Sequence, residues 1–156
     1  MTAESRGLVE TEIRRVMEEQ GNAVCARNVE GLVSNCVPDV VSFDVVGGLQ
    51  KIGADERRKR AEEWFSSFQG RISYEVRDLS ITADDNVAFC HSLNHVNGTR
   101  RDGQEIDMWW RATVCFQRIE GRWLIKHEHS SVPFDTANGK AQLDLSREAI
   151  SILLGE

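Results

Sequence analysis

The stretch from Met108 to Phe134, MWWRATVCFQRIEGRWLIKHEHSSVPF, decides the fold. Two runs of alternating character flank Arg118-Ile119-Glu120-Gly121, a short turn, and the pattern predicts a long β-hairpin. In the first run Trp110, Ala112, Val114 and Phe116 share one side, with Trp109, Arg111, Thr113, Cys115 and Gln117 opposite. In the second run Trp123, Ile125, His127, His129 and Ser131 share one side, with Leu124, Lys126, Glu128 and Ser130 opposite. Side chains alternate along a strand, so this is a sheet with one dry face. Strict alternation carries His127 and His129 onto the far end of that face.

Upstream of the hairpin the chain also reads as strand. Val87 to Val96 puts His91 and His95 on one side with Phe89 and Leu93. Before it, Ile72, Tyr74 and Val76 share a face while Leu79 and Ile81 fall on the other parity, which a β-bulge near Arg77-Asp78 reconciles. Asp84-Asp85-Asn86, Asn97-Gly98 and Asp102-Gly103 are turn chemistry. A helix starts at Gly53-Ala54-Asp55 and runs to about Phe68 with Ala61, Trp64, Phe65 and Phe68 on its buried stripe. Gly70 is read as its C′ glycine. Val40 to Val46 reads as a strand, and Gly47-Gly48 turns it into a short strand around Leu49 to Ile52. The N-terminus is helical from Thr2 to about Arg27, with Leu8, Val9, Ile13, Val16, Met17 and Val24 in helical rhythm. Asn28 caps a short second helix through Leu32 to Cys36, stopped by Pro38 and Asp39. After a polar segment from Asp135 to Lys140, a last helix of about residues 146–154 carries Ala149, Ile150, Leu153 and Leu154. Helices gather early and an antiparallel meander late, which is an α+β arrangement. No repeat or linker divides it, so residues 1–156 read as one domain with a core of about 9–134 and the last helix as an appendage.

Bulk properties exclude several classes. Hydrophobic residues make up 40% and charged residues 28%, ordinary for a globular protein. A net charge of −6 argues against nucleic acid or an anionic membrane surface as partner. Arg57-Arg58-Lys59-Arg60, diluted by Asp55, Glu56, Glu62 and Glu63, reads as a solvated helix face. There is no apolar run long enough to span a bilayer, and MTAESRGLVETEIRR lacks the apolar centre of a signal peptide, so a cytoplasmic location is expected. Cys25, Cys36, Cys90 and Cys115 form no CxxC pair and read as buried free thiols. Phosphate-binding loops, dinucleotide fingerprints, serine-hydrolase elbows and HExxH are all missing, and no redox cofactor is expected.

The ending Trp110-Arg111-Ala112-Thr113, then Glu120-Gly121-Arg122-Trp123, then His127-Glu128-His129-Ser130-Ser131-Val132-Pro133 resembles the nuclear transport factor 2-like superfamily. Within it the SnoaL-like and ketosteroid-isomerase-like proteins are the most similar, and the association domain of calmodulin-dependent kinase II ends similarly. Val37-Pro38-Asp39-Val40-Val41-Ser42-Phe43-Asp44, with Gly48 and Gly53, is similar to that family's first strand and hairpin. The resemblance spans about Val9 to Phe134. It implies a cone-shaped, curved, mostly antiparallel sheet wrapped around N-terminal helices, a cystatin-like roll, with an apolar pocket between. It also implies a habit of sheet-to-sheet homodimers. Function it leaves wide, because the superfamily holds isomerases, cyclases, dehydratases, hydrolases and plain binding modules.

Asp44 sits in an apolar run, where a carboxylate is costly to desolvate without a partner. The resemblance puts it where ketosteroid isomerases hold their base, a role that burial can tune. The oxyanion donors of those isomerases are missing, since the corresponding positions are Gln20 and either Ala112 or Thr113. Ketosteroid isomerase activity is therefore not expected. If the histidine-bearing faces are concave, His127 and His129 join Asp44 as acid–base groups, and His91 and His95, with Trp110, Trp64 and Phe43, line the substrate site. Structural hydrogen bonding, a dimer face and a zinc site are the alternatives for these histidines, and no metal is expected. Trp109, with Arg111 and Thr113, points away from the core and predicts a homodimer face, although Arg111 turned inward can bind a carboxylate. Two functions follow: a cofactor-independent enzyme moving protons on a small apolar substrate, or a module that uses the same pocket for recognition alone.

Overall fold

A computed structural model describes residues 1–147. The apolar positions 149, 150, 153 and 154 of the expected last helix lie outside the described residues. Helix α1 runs Ala3–Cys25 behind a Thr2 capping box, and Gly21 does not break it. Its buried stripe, Val9, Ile13, Val16, Met17, Gln20 and Val24, is the face laid against the sheet. Asn28 caps α2, Val29–Val33, as its side chain accepts from the Gly31 amide.

The next strand differs from expectation. β1 is Cys36–Phe43, so it begins before Pro38 and ends before Asp44, and Val45 and Val46 lie outside it, partly exposed. β2 is only Lys51–Ile52, and α3 is Ala54–Ser66. Gly70 is not the helix terminus: α3 is capped at Ser67, and Gly70 lies inside β3, Phe68–Ala83. β4 is Val87–Arg100, with Gly98 within the strand rather than in a turn. Phe68 explains that glycine, since an added Cβ there would meet the Phe68 ring at 3.0 Å. β5, Glu105–Ile119, and β6, Arg122–Ser131, make the expected hairpin. Its two-residue turn, Glu120 and Gly121, has positive φ at both positions, the primed geometry that matches strand twist.

The six strands order β2-β1-β6-β5-β4-β3, all antiparallel except β1 against β6. The bulge expected near Arg77-Asp78 is present: register shifts between Arg77 and Ser80, and Asp78 adopts φ 54°. It returns Leu79 and Ile81 to the side facing α1, where they pack on the core.

A second bulge was not anticipated, and it reorganises the site. Cys115 pairs with His127 but Phe116 pairs with Ile125, so Lys126 is an extra residue in β6. Parity reverses there. Trp123 and Ile125 face the core, and beyond the bulge Glu128 and Ser130 take the inner face while His127 and His129 turn outward.

The core divides in two. One cluster joins the first half of α1 to β1, β4, β5 and β6 through Ile13, Val16, Val40, Cys90, Phe116 and Ile125. The other joins the end of α1, α2 and α3 to β3 and β4 through Val24, Leu32, Phe65, Phe68, Ile72 and Val96. Burial pushes the Cys90 thiol up to about 12, so it is an inert packing group. Cys25, by contrast, is exposed. Among the described residues no helix is long and apolar enough to cross a membrane.

Candidate functional site

Between α3, the C-terminal half of α1 and the concave side of the sheet lies a cavity of about 410 Å³. Its walls are largely apolar: Met17, Val24, Leu32, Trp64, Phe68, Met108, Trp110 and Val114. Phe43, Asp44, Val45, Val46, Lys51 and Arg100 border its mouth, where Val46 is 48% exposed. Ala141 and Leu143, on a segment joined to Phe134 by a bridge at Ala141, border it too.

The buried end is polar, and Arg57 organises it. Its Nη1 donates to Glu128 Oε2 at 2.6 Å, its Nη2 to Gln20 Oε1 at 3.1 Å, and its Nε to the Leu32 carbonyl at 3.0 Å. Gln20 is itself held, since Nε2 donates to the Gly31 carbonyl. Burial works against the Arg57 charge, but the Glu128 carboxylate outweighs it and holds the guanidinium above its ordinary range. Only 13% of the Arg57 side chain and 29% of Glu128 is exposed.

Beside that pair stands a chain of neutral groups. Ser92 Oγ donates to Asn94 Oδ1 at 2.7 Å, and Asn94 Nδ2 donates to the Tyr74 hydroxyl at 2.9 Å. Burial, reinforced by the Glu128 charge, pushes the Tyr74 hydroxyl well above its ordinary range. It therefore stays protonated and is a donor at every working pH. At the mouth, Arg60 Nε donates to Asp44 Oδ2 at 3.0 Å, and the Val45 amide donates to Asp44 Oδ1 at 2.7 Å.

The residues expected from the sequence separate into two groups. Asp44, Trp64 and Trp110 line the cavity, and Phe43 borders its mouth. The four histidines do not. His127 Nδ1 donates to the Val41 carbonyl at 2.7 Å, and both His127 and His129 pack against the edge of the Phe43 ring. His91 and His95 share the outer face of β4, because Ala88, Cys90, Ser92, Asn94 and Val96 take the inner one. His91 is exposed, whereas His95 stacks on Trp109 at 4.5 Å with Glu75 and Asp107 at its two nitrogens. Four imidazoles on the convex side cannot serve chemistry on the concave one. Among the described residues no group of three His, Cys, Asp or Glu side chains is placed to hold a metal ion.

The basic run expected to be a solvated face divides between the two sides of α3. Arg58 does sit on the solvent side with Glu30 and Asp55, but Arg57 and Arg60 face the cavity. Arg57, Ala61 and Trp64 follow i, i+4, i+7 spacing, so helical phase carries the expected stripe of Ala61, Trp64, Phe65 and Phe68 back to Arg57, which that stripe left out. Glu128 and Ser130 left a thinner signal: Val132, which lines the cavity, shares their parity.

The geometry is that of a helix-filled, curved-sheet pocket protein. A match to the SnoaL-like domain over residues 13–135 agrees, and the chain belongs to this family of the nuclear transport factor 2-like superfamily. It is similar to a nuclear transport factor 2-like protein of unknown function from Pseudomonas putida, at 31% identity over 90% of this chain and 97% of that one, with TM-score 0.81. Two more distant structures share the fold. A proposed dehydratase of the same superfamily from Streptomyces avermitilis has 14% identity over 81% of this chain and 97% of its own, with TM-score 0.71. A proposed aromatic ring hydroxylase from Novosphingobium aromaticivorans has 16% identity over 84% and 91%, also with TM-score 0.71. No curated protein matches the chain.

Proposed function

We propose that this chain takes up a small, largely apolar molecule in the cavity between α3 and the sheet, and that proton transfer on that molecule is the chemistry the cavity suits. One observation carries the reading: a cavity of about 410 Å³ with apolar walls and a few fixed polar groups at its ends. That is the usual make-up of a small-molecule site. Carboxylates at both ends, Asp44 and Glu128, are the groups able to accept a proton, and the Tyr74 hydroxyl is a fixed hydrogen-bond donor able to support negative charge that develops on the molecule. Isomerisation, cyclisation, dehydration and hydrolysis all use such sets, and none needs a redox cofactor.

Uptake is tested by equilibrium dialysis with naphthalene, a rigid apolar probe small enough for this volume. Saturable binding of one molecule per chain is expected, and failure to take it up removes the reading. Asp44→Asn should leave the fold intact and cost no more than about 1 kcal/mol, because a partly exposed ion pair contributes little. Thermal unfolding checks this, and an insoluble variant would make Asp44 a structural group and deprive the chemistry of that base.

Recognition without chemistry is favoured by a different observation: the histidines expected as acid–base partners are outside, one of them tied to a backbone carbonyl. In either case the outer sheet face suits a second copy of the chain. Trp109, Arg111 and Thr113 lie there in one row, with Phe89 46% exposed nearby. Trp109→Ala should shift sedimentation toward monomer, and an unchanged profile would remove this face from self-association.

A further inference from the structure

We infer that the buried end of the cavity is built for a neutral hydroxyl group, so that the ligand class is a phenol or alcohol on a compact apolar body. The inference rests on the pocket reading above and adds which polar group the pocket accepts. It follows from counting hydrogen bonds at two side chains.

The Tyr74 oxygen already accepts from Asn94 Nδ2, whose own Oδ1 is engaged by Ser92. In this arrangement Asn94 turns its Nδ2 to Tyr74 and its Oδ1 to Ser92, and the Tyr74 proton has no hydrogen-bond acceptor among the described residues. At Glu128, Oε2 accepts from Arg57, while Oε1 receives no hydrogen bond from the described residues. Both side chains line the same cavity, and both arginines that line it from α3 are already paired, Arg57 with Glu128 and Arg60 with Asp44. At these two side chains the buried end offers one donor and one acceptor, and neither arginine of α3 brings an uncompensated positive charge.

A hydroxyl answers both: its oxygen accepts from Tyr74 and its proton goes to Glu128 Oε1. A ketone or ether satisfies only Tyr74 and leaves the carboxylate oxygen facing apolar surface. A carboxylate would set a second negative charge against Glu128. Sites that hydrogen-bond a hydroxyl reject analogues lacking it, because buried polar groups are then left unpaired.

Four probes of nearly one shape separate these cases on the unaltered protein: naphthalene, 2-naphthol, 2-methoxynaphthalene and 2-naphthoate, measured by equilibrium dialysis at neutral pH. The expected result is 2-naphthol bound about tenfold tighter than naphthalene or the methyl ether, with 2-naphthoate the weakest. Tyr74→Phe should erase most of the advantage of 2-naphthol over naphthalene, whereas His91→Gln, on the outer face of β4, should leave that advantage in place. Equal affinity for 2-naphthol and naphthalene overturns the hydroxyl assignment and leaves the pocket reading standing. Tightest binding of 2-naphthoate overturns it differently, by making the arginines an acid-binding site. If naphthalene and all three relatives fail to bind, both readings fall. The ligand series decides the matter even if the tyrosine variant does not fold.

Discussion

Glu128→Ala is expected to lower the unfolding free energy by about 3–5 kcal/mol, the cost of leaving a buried guanidinium without its carboxylate. For a chain of this length that corresponds to a fall of roughly 6–20 °C in the thermal midpoint. The neutral partners of Arg57, Gln20 and the Leu32 carbonyl, remain in the variant, but neither carries a charge. Water entering from the cavity is the only relief, which places the cost nearer the lower figure. Paired replacement Arg57→Met with Glu128→Leu should recover much of the loss, because removing both charges together also removes their desolvation cost. Thermal or urea unfolding of the single and double variants checks this. A single-variant cost below about 1 kcal/mol would mean that the pair behaves like one on the surface.

The late antiparallel strands, the Asn28 cap and the bulge at Asp78 were legible because each rests on a local signal. Ile72, Tyr74 and Val76 against Leu79 and Ile81 is a parity conflict with several members on each side. The bulge at Lys126 lacked that support. Past Ile125 the strand carries His127, Glu128, His129, Ser130 and Ser131, none of them decisively inner or outer, and only Val132 marks the reversal. Polar residues in a strand can be assigned to a face only by extrapolating from apolar neighbours, and one inserted residue inverts the extrapolation. The site was consequently inverted: two histidines were expected inside and a glutamate outside, and the structure has the glutamate inside.

Arg57 escaped for a different reason. A run of four basic residues is usually solvated, and the net charge of its surroundings supported that reading. What decides its position is helical phase: Trp64 and Ala61 are inner residues, and Arg57 lies on their stripe. The partner that makes its burial affordable, Glu128, is 71 residues away in sequence and becomes visible only once the Lys126 bulge is known. Two errors of reading were thus one, since the arginine and the glutamate can be understood only together.

Phe68→Ala is expected to be among the costliest single changes in the core, at about 3–5 kcal/mol, because a large buried ring is removed from a site that cannot collapse around the gap. Phe68 is 1% exposed and meets the Trp64 ring edge-on at 5.9 Å. On its other side it lies against Gly98, whose lack of a Cβ is what admits the ring. The backbone around it is pinned as well, since Arg27 Nη1 donates to the carbonyls of Phe65 and Phe68. With both walls held, the vacated volume opens into the existing cavity rather than closing. Two measurements then move together: the thermal midpoint falls, and naphthalene raises it by more in the variant than in the parent, because the enlarged hollow leaves more apolar surface for the probe to cover. A variant that is destabilised without any added response to naphthalene would mean that Phe68 packs the core only and does not shape the ligand cavity.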